Sequence, residues 1–430
     1  MNSKRLAGGF LLACLLAACV HEPGSVTGHN RDVSGEWRVQ EIAAGGAFTP
    51  AIAMDRRRGV IYVVYASPRL SGGYDVYLRR GLPDRPELSA PVRVNGEGDA
   101  AHPIHSAPIR MTVGPEGNVY LVWRQENMAP EVLKAYPWGL TRLLFVRSTD
   151  GGQTFSDPIE VAAGFPHAKD FPSLAVNQNG QIILAWLTYG PGIIESDVHM
   201  SASVDHGRSF SPPAVVDRVV CGCCGPAVAT SRSSETFVAW RDIDRAPGAP
   251  ETADIRDIKF RSTRNDGVTF TEALPVPVNG WNVATCTHTA TSLAVDRHDR
   301  LHVAYYSGRP DFQGTHYALF EKEAGRYLKR ISLTTGDFVP PSKVSLALDD
   351  RDRAWVAWED RSDHGYYTLE TKGIIDASSA LIRVGRIDAD GLELVETSEV
   401  GAGIMPQVAS SGSNAYLVWS HNGRVFLGRR

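Results

Sequence analysis

"YLVWRQ", Tyr120 to Gln125, is a short apolar run centred on an aromatic residue, and close variants of it return along the chain. They read "YVVYAS" from Tyr62, "ILAWLT" from Ile183, "FVAWRD" from Phe237, "HVAYYS" from His302, "WVAWED" from Trp355 and "YLVWSH" from Tyr416. The shared aromatic falls at Tyr65, Trp123, Trp186, Trp240, Tyr305, Trp358 and Trp419, with successive gaps of 58, 63, 54, 65, 53 and 61 residues. The β-branched and aromatic content of these runs, and their apolar alternation, indicate strands. A period of this length marks a repeat architecture.

Each run is preceded by a second apolar segment, such as "APIRMTV", "FPSLAVN" or "GPAVATS", joined to it by a Gly/Asp/Asn-rich turn. That is the signal of a tight hairpin. Further strands follow, for example "RLLFVRS" and "DPIEVAA", giving four strands per unit. Four strands repeated about a ring predict an all-β, seven-bladed β-propeller. After Gly403 there is room for only three strands, so the fourth strand of the last blade is expected from "GEWRVQEIA", Gly35 to Ala43. Pairing the two ends closes the ring and removes exposed sheet edges.

"STDGGQTF" (Ser148 to Phe155) and "SVDHGRSF" (Ser203 to Phe210) share a turn motif, and "TRNDGVTF" (Thr263 to Phe270) matches it with Thr for Ser and Asn for Asp. The motif resembles the Asp-box, or BNR repeat, of sialidases and related propellers. Asp150, Asp205 and Asn265 are expected to accept hydrogen bonds from the turn, with Gly152 and Gly207 at positive φ and the aromatic packed inward. Their role is therefore structural. The first blade carries only a degenerate version, and blades five to seven carry no good copy.

The resemblance implies that the Asp-boxes lie on the face opposite the family's active sites. It also raises exo-acting glycosidase activity, which in sialidases needs an arginine triad, a Tyr/Glu pair and an Asp acid/base. Those enzymes usually have six blades and an Arg-Ile-Pro motif, whereas "APIRMTV" supplies Arg110 without the following Ile-Pro. Arg124, Arg241 and Arg361 follow the repeated aromatic and are candidates for the same face; arginines at strand ends also commonly bridge blades. Asp242, Glu359 and Asp360 are the candidate carboxylates, with a separation that the sequence leaves unset. Whether the chain is an enzyme stays open, because one fold hosts many functions.

The N-terminus opens with Lys4 and Arg5, followed by an apolar run to Ala18 that is too short to span a bilayer as a helix. Leu16-Ala17-Ala18-Cys19 resembles a bacterial lipobox, which implies a signal peptide over 1–18, lipidation of Cys19, and a tether over 19–33 ahead of a propeller domain at 34–430. Val20 after the cysteine implies sorting to the outer membrane. The expected setting is extracytoplasmic, where disulfides persist. A net charge of −4 without a Lys/Arg block argues against nucleic acid as a partner.

Of the six cysteines, three crowd into "RVVCGCCGPAVA" as Cys221, Cys223 and Cys224, and Cys286 falls in "ATCTHTAT". Aligned on the residue that opens each inner strand, Cys224 is equivalent to Ser106, Asp170 and Thr289. In the same register Cys223 matches His105, Lys169 and His288, and Cys221 matches His167 and Cys286. These positions lie at the channel mouth, on the face that carries the family's active sites. Clustered thiolates with imidazole suit a thiophilic metal, copper first and zinc as the alternative. A Cys-x-Cys-Cys run also resembles sequences in bacterial periplasmic copper-handling proteins. The candidate ligands are Cys221, Cys223, Cys224, Cys286 and His288. His105 and His167 are either further ligands or polar rim residues, and Met405 at the seventh strand start is packing. Structural disulfides and redox-active thiols are the competing readings, although adjacent Cys223 and Cys224 cannot bridge each other easily. A metal-binding lipoprotein with a periplasmic protein partner, a glycosidase, and a glycan- or protein-binding scaffold are the three functional expectations.

Overall fold

The computed structural model describes residues 32–33, 37–192, 196–284, 287–334, 343–360, 380–388, 390 and 393–430. The signal segment, Cys19 and most of the tether lie outside these residues, as do Cys286 and Arg361. Seven antiparallel sheets follow one another around a ring. Six are consecutive four-stranded blades over 48–93, 110–160, 168–220, 227–275, 292–332 and 344–402. The seventh combines Ile404–Ser411, Asn414–His421 and Arg424–Arg429 with Trp37–Ala43 from the other end of the chain. Arg38 pairs with Arg429 and Glu41 with Phe426, so the ring closes through an N-terminal strand laid on the C-terminal one. The protein is therefore the seven-bladed propeller that the repeat predicts.

The repeated aromatic runs are the second strands, and they are buried along nearly their whole length because both faces are covered. Alternate side chains point to opposite sides of a strand. In Val60–Pro68, Tyr62, Val64 and Ala66 pack towards blade 2, while Ile61, Val63 and Tyr65 pack towards blade 7. The same division recurs around the ring, giving seven apolar layers that each join two neighbouring blades. Trp123, Trp186, Trp240 and Trp358 are nearly inaccessible within them. Burying a side chain of this class is worth roughly 1.5–3 kcal/mol, so the aromatic period is also the period of the core.

The Asp-box turns join third and fourth strands of blades 2, 3 and 4. Asp150 Oδ1 accepts the Ser148 hydroxyl at 2.7 Å and the Gln153 and Thr154 N–H groups at 2.9 and 3.0 Å, and Oδ2 accepts Thr154 Oγ1 at 2.6 Å. Asp205 repeats this set with Ser203, Arg208 and Ser209. Gly207 sits at φ 79°, and a Cβ there would lie 2.5 Å from the Phe145 ring. Phe210 meets that ring edge-on at 5.0 Å. Asn265 accepts from Thr263 and the Thr269 N–H and donates to the Thr269 hydroxyl. The three boxes are hairpin staples, as their residue types predict.

Candidate metal centre

Inner strands begin on the face opposite these staples, and the cysteines lie where blade 3 hands over to blade 4. The outer strand Ala214–Val220 ends as the chain turns towards the channel. The Cys221 N–H donates to the Arg241 carbonyl at 2.9 Å, which fixes the crossing to the end of blade 4's second strand. The Cys224 N–H returns to the Cys221 carbonyl at 3.4 Å, and the Tyr189 hydroxyl donates to the Gly222 carbonyl between them. Gly225 then passes so close to blade 3 that a Cβ would lie 3.0 Å from Phe171 Cβ. A short, clamped turn thus folds three sulfurs inward.

The Cys221, Cys223 and Cys224 side chains are buried, with Sγ–Sγ separations of 3.6, 3.6 and 3.8 Å. These separations are those of thiols in contact and not of disulfides between them. The circle through the three sulfurs has a radius of about 2.1 Å, close to the metal–sulfur bond length of about 2.3 Å, so Cys221, Cys223 and Cys224 could each supply a ligand to one ion. The donor set therefore fits a thiophilic ion without rearrangement of the turn.

The turn is electrostatically prepared for a thiolate. Burial raises the Cys224 thiol, but hydrogen bonds from Cys221 and Cys223, the Arg241 guanidinium and the Thr287 hydroxyl at 3.2 Å together pull it well below the usual thiol value. The hydrogen bond with Cys223 acts to lower Cys221, yet the bond that Cys221 donates to Cys224, burial and the Cys224 charge push Cys221 up to about 12.

Among the described residues, the group of potential ligands that converges within 4.8 Å is these three cysteines. His288 opens to solvent inside the channel mouth; surrounding protein lowers its pKa, opposed by Cys224 and assisted by Lys343 and His105. It stands beside the cluster rather than in it. His105 is held by the buried Glu359 at 3.1 Å, and Glu359 also accepts the Met405 N–H at 2.8 Å. His167 is not grouped with the sulfurs. It packs against Phe165, at 5.3 Å between ring centroids, just before the inner strand of blade 3 begins pairing at Ala168.

The arginines also differ from an open triad. Arg124 is 4% exposed and binds Asp170 at 3.0 Å and Glu126 at 2.9 Å. Arg241 is 2% exposed and donates to the Arg256 carbonyl, the Thr289 hydroxyl and the Tyr306 carbonyl at 2.7, 3.0 and 2.9 Å. Arg110 donates to the Pro172 carbonyl at 3.1 Å. Each joins one blade to the next. Asp242 binds Lys259 at 2.6 Å and Asp360 binds Arg383 at 2.5 Å, which engages those carboxylates as well. The residues missed by sequence reasoning are Thr287, Arg256, Lys343 and Tyr189. Lys343 was within reach of it, because it directly precedes the strand-opening Val344 in the same register that placed the cysteines.

No family model matches the chain, and no curated protein matches it. Solved structures do. A polysaccharide lyase of family PL25, an ulvan lyase bound to a GlcA(1-4)Rha3S unit, superposes with a TM-score of 0.53 at 14% identity, covering 90% of this chain and 94% of that one. The Hadza microbial sialidase Hz136 gives a TM-score of 0.50 at 15% identity over 73% of this chain, which spans 63% of the sialidase's length. A protein of unknown function from Dyadobacter fermentans gives 0.50 at 13% identity, covering 76% of this chain and 93% of that one. At these identities the likeness is one of fold. What this chain shares with those structures is the propeller fold.

Proposed function

We propose that this is an extracytoplasmic, lipid-anchored propeller that captures a thiophilic metal, copper before zinc, at its channel mouth. Capture, delivery to a periplasmic protein partner, or metal tolerance is its purpose rather than turnover. The observation that carries the reading is the triangle of buried sulfurs with edges of 3.6–3.8 Å. Free thiols that served only packing would gain nothing from mutual contact, whereas soft ligands at this spacing match the bond lengths of a bound ion. His288 lies beside the cluster as the candidate fourth donor in this reading, and Cys286 lies outside the described residues.

The test is metal analysis of the reduced chain after anaerobic loading, against Cys221/Cys223/Cys224→Ser. About one equivalent of copper should remain with the wild type and essentially none with the variant. Equal, near-zero metal in both chains refutes the reading. Exo-glycosidase activity is the second reading, supported at the level of fold by the likeness to a sialidase and a polysaccharide lyase. Release of the fluorophore from a generic sialoside would promote it to first place.

A further inference from the structure

The segment from Cys221 to Cys224 is a reverse turn as well as a set of sulfurs. Its end closes with the Cys224 N–H donated to the Cys221 carbonyl at 3.4 Å, and Gly222 and Cys223 hold the inner positions. The two ends of such a turn lie within about 7 Å of each other at Cα. A disulfide spans Cα atoms about 4.4–6.8 Å apart, so the turn brings its end cysteines into bridging range. Their sulfurs are already in contact at 3.6 Å. Bond formation would close that gap to roughly 2.05 Å, a movement within reach of two side chains.

The other two pairs are also in contact, at 3.6 and 3.8 Å, but each would close a smaller ring. Cys223 and Cys224 are adjacent, and Cys221 and Cys223 have one residue between them, so a bridge there would strain the backbone of the turn. Position in the turn, and not distance, singles out Cys221 and Cys224. Burial then limits what can oxidise them. Cys221, Cys223 and Cys224 are 0, 4 and 1% exposed, which bars a bulky disulfide and suits an oxidant little larger than water.

We propose that Cys221 and Cys224 form a dithiol–disulfide couple oxidised by a small hydroperoxide, with Cys223 left as a thiol. One sulfur attacks the O–O bond of hydrogen peroxide, becomes a sulfenic acid and releases water. The second sulfur displaces the sulfenic hydroxyl group as another water and forms the S–S bond. In sum, two thiols and one peroxide give one disulfide and two waters, and the two S–H protons end in those waters. Bridged sulfurs no longer serve as thiolate ligands, so oxidation also discharges a bound ion. That consequence, unlike the couple itself, rests on the metal-binding reading above.

The experiment treats the reduced, metal-free full chain with hydrogen peroxide, alkylates the remaining thiols and maps tryptic peptides by mass. Cleavage after Arg218 and Arg232 leaves all three cysteines on one peptide, 219–232, apart from Cys286. That peptide should lose two hydrogens and carry a single alkyl group, on Cys223. The bridge should persist in Cys223→Ser and be lost in Cys221→Ser and Cys224→Ser. Circular dichroism checks that each variant folds, and the place of the alkyl group in the wild-type peptide carries the assignment if one does not. An alkyl group on Cys221 or Cys224, a bridge to Cys286, or oxygen adducts without a bridge overturns the couple. In a second arm the zinc-loaded chain should release its zinc to a chromophoric chelator in step with the bridge. A bridge that forms with zinc retained overturns the discharge and leaves the couple standing. A chain that binds no metal yet forms the bridge refutes the metal reading and upholds the couple.

Discussion

The Asp-box turns on one face and the cysteine turn on the other are both short, polar and densely hydrogen-bonded, yet they are organised on opposite principles. Asp150 and Asp205 satisfy their turns with the same partners at nearly the same distances, in two consecutive blades. The cysteine turn has no second copy, and its side chains turn towards one another instead of towards their own backbone. Repetition marks what every blade needs in order to close its outer hairpin. A departure from the repeat, at a position where neighbouring blades carry Ser106, Asp170 and Thr289, marks what only the whole ring needs.

The sharpest way to break this comparison is to exchange the consequences. Asp205→Ala should leave metal uptake unchanged and lower stability by about 1–2 kcal/mol, since it removes several charge-assisted hydrogen bonds at a partly solvent-screened turn. Urea unfolding of the metal-free chain measures this. The cysteine-to-serine chain should do the reverse, losing metal while its metal-free unfolding free energy stays within about 1 kcal/mol of wild type. A box variant that loses metal, or a serine variant that unfolds, would show that the two turns are not separable.

Gly225→Ala tests the clamp on the cysteine turn. The new methyl would sit 3.0 Å from Phe171 Cβ and 3.4 Å from the Phe171 carbonyl oxygen, tighter than an ordinary contact on the side-chain side. Overpacking of this kind should cost about 1 kcal/mol, and the turn should shift with it, so copper affinity should fall as well. Affinity that is unchanged beside a measurable stability loss would mean that the sulfurs are positioned by Tyr189 and the Arg241 carbonyl without help from this contact.

Much of the fold was legible because the physical period and the sequence period coincide. Strands buried on both faces must be apolar throughout, and one bulky aromatic per blade fills each interface, so Trp123, Trp186 and Trp240 announce themselves. The sulfur cluster was legible for the same reason, since the repeat register alone places Cys224 at a strand start facing the channel. What surrounds it was not. Arg256 and Thr287 are 35 and 63 positions away from the cysteines they approach, and no residue-type pattern in the repeat singles either of them out, whereas Lys343 directly precedes a strand-opening position and could have been found by register. Arg124 and Arg241 were visible as strand-end arginines, but whether a guanidinium enters the channel or bolts the next blade depends on a carbonyl or carboxylate within reach. His167 shows the limit of register, because an aligned position does not fix where a side chain packs: His167 lies against Phe165 and not with the sulfurs.

The smallest effect expected is also the most diagnostic of the staples. Asn265 occupies the aspartate position of the third box, and its amide donates to Thr269 Oγ1 at 2.9 Å where Asp150 and Asp205 accept from a hydroxyl. Asn265→Asp would reverse that hydrogen bond and make it charge-assisted, a gain of roughly 0.5 kcal/mol, held down by the adjacent Asp266. The gain should carry a pH signature. In both aspartate boxes burial raises the carboxyl pKa, but hydrogen bonds from the box hydroxyls and N–H groups outweigh it, leaving each carboxyl below its ordinary value. A carboxylate depressed in the folded state contributes stability above the unfolded pKa of about 3.9, and loses it as pH falls through the folded value. The Asn265→Asp chain should therefore be more stable than wild type in urea at pH 7 and lose that advantage in acid. An advantage that persists at pH 2 would assign the gain to packing instead of to the carboxylate.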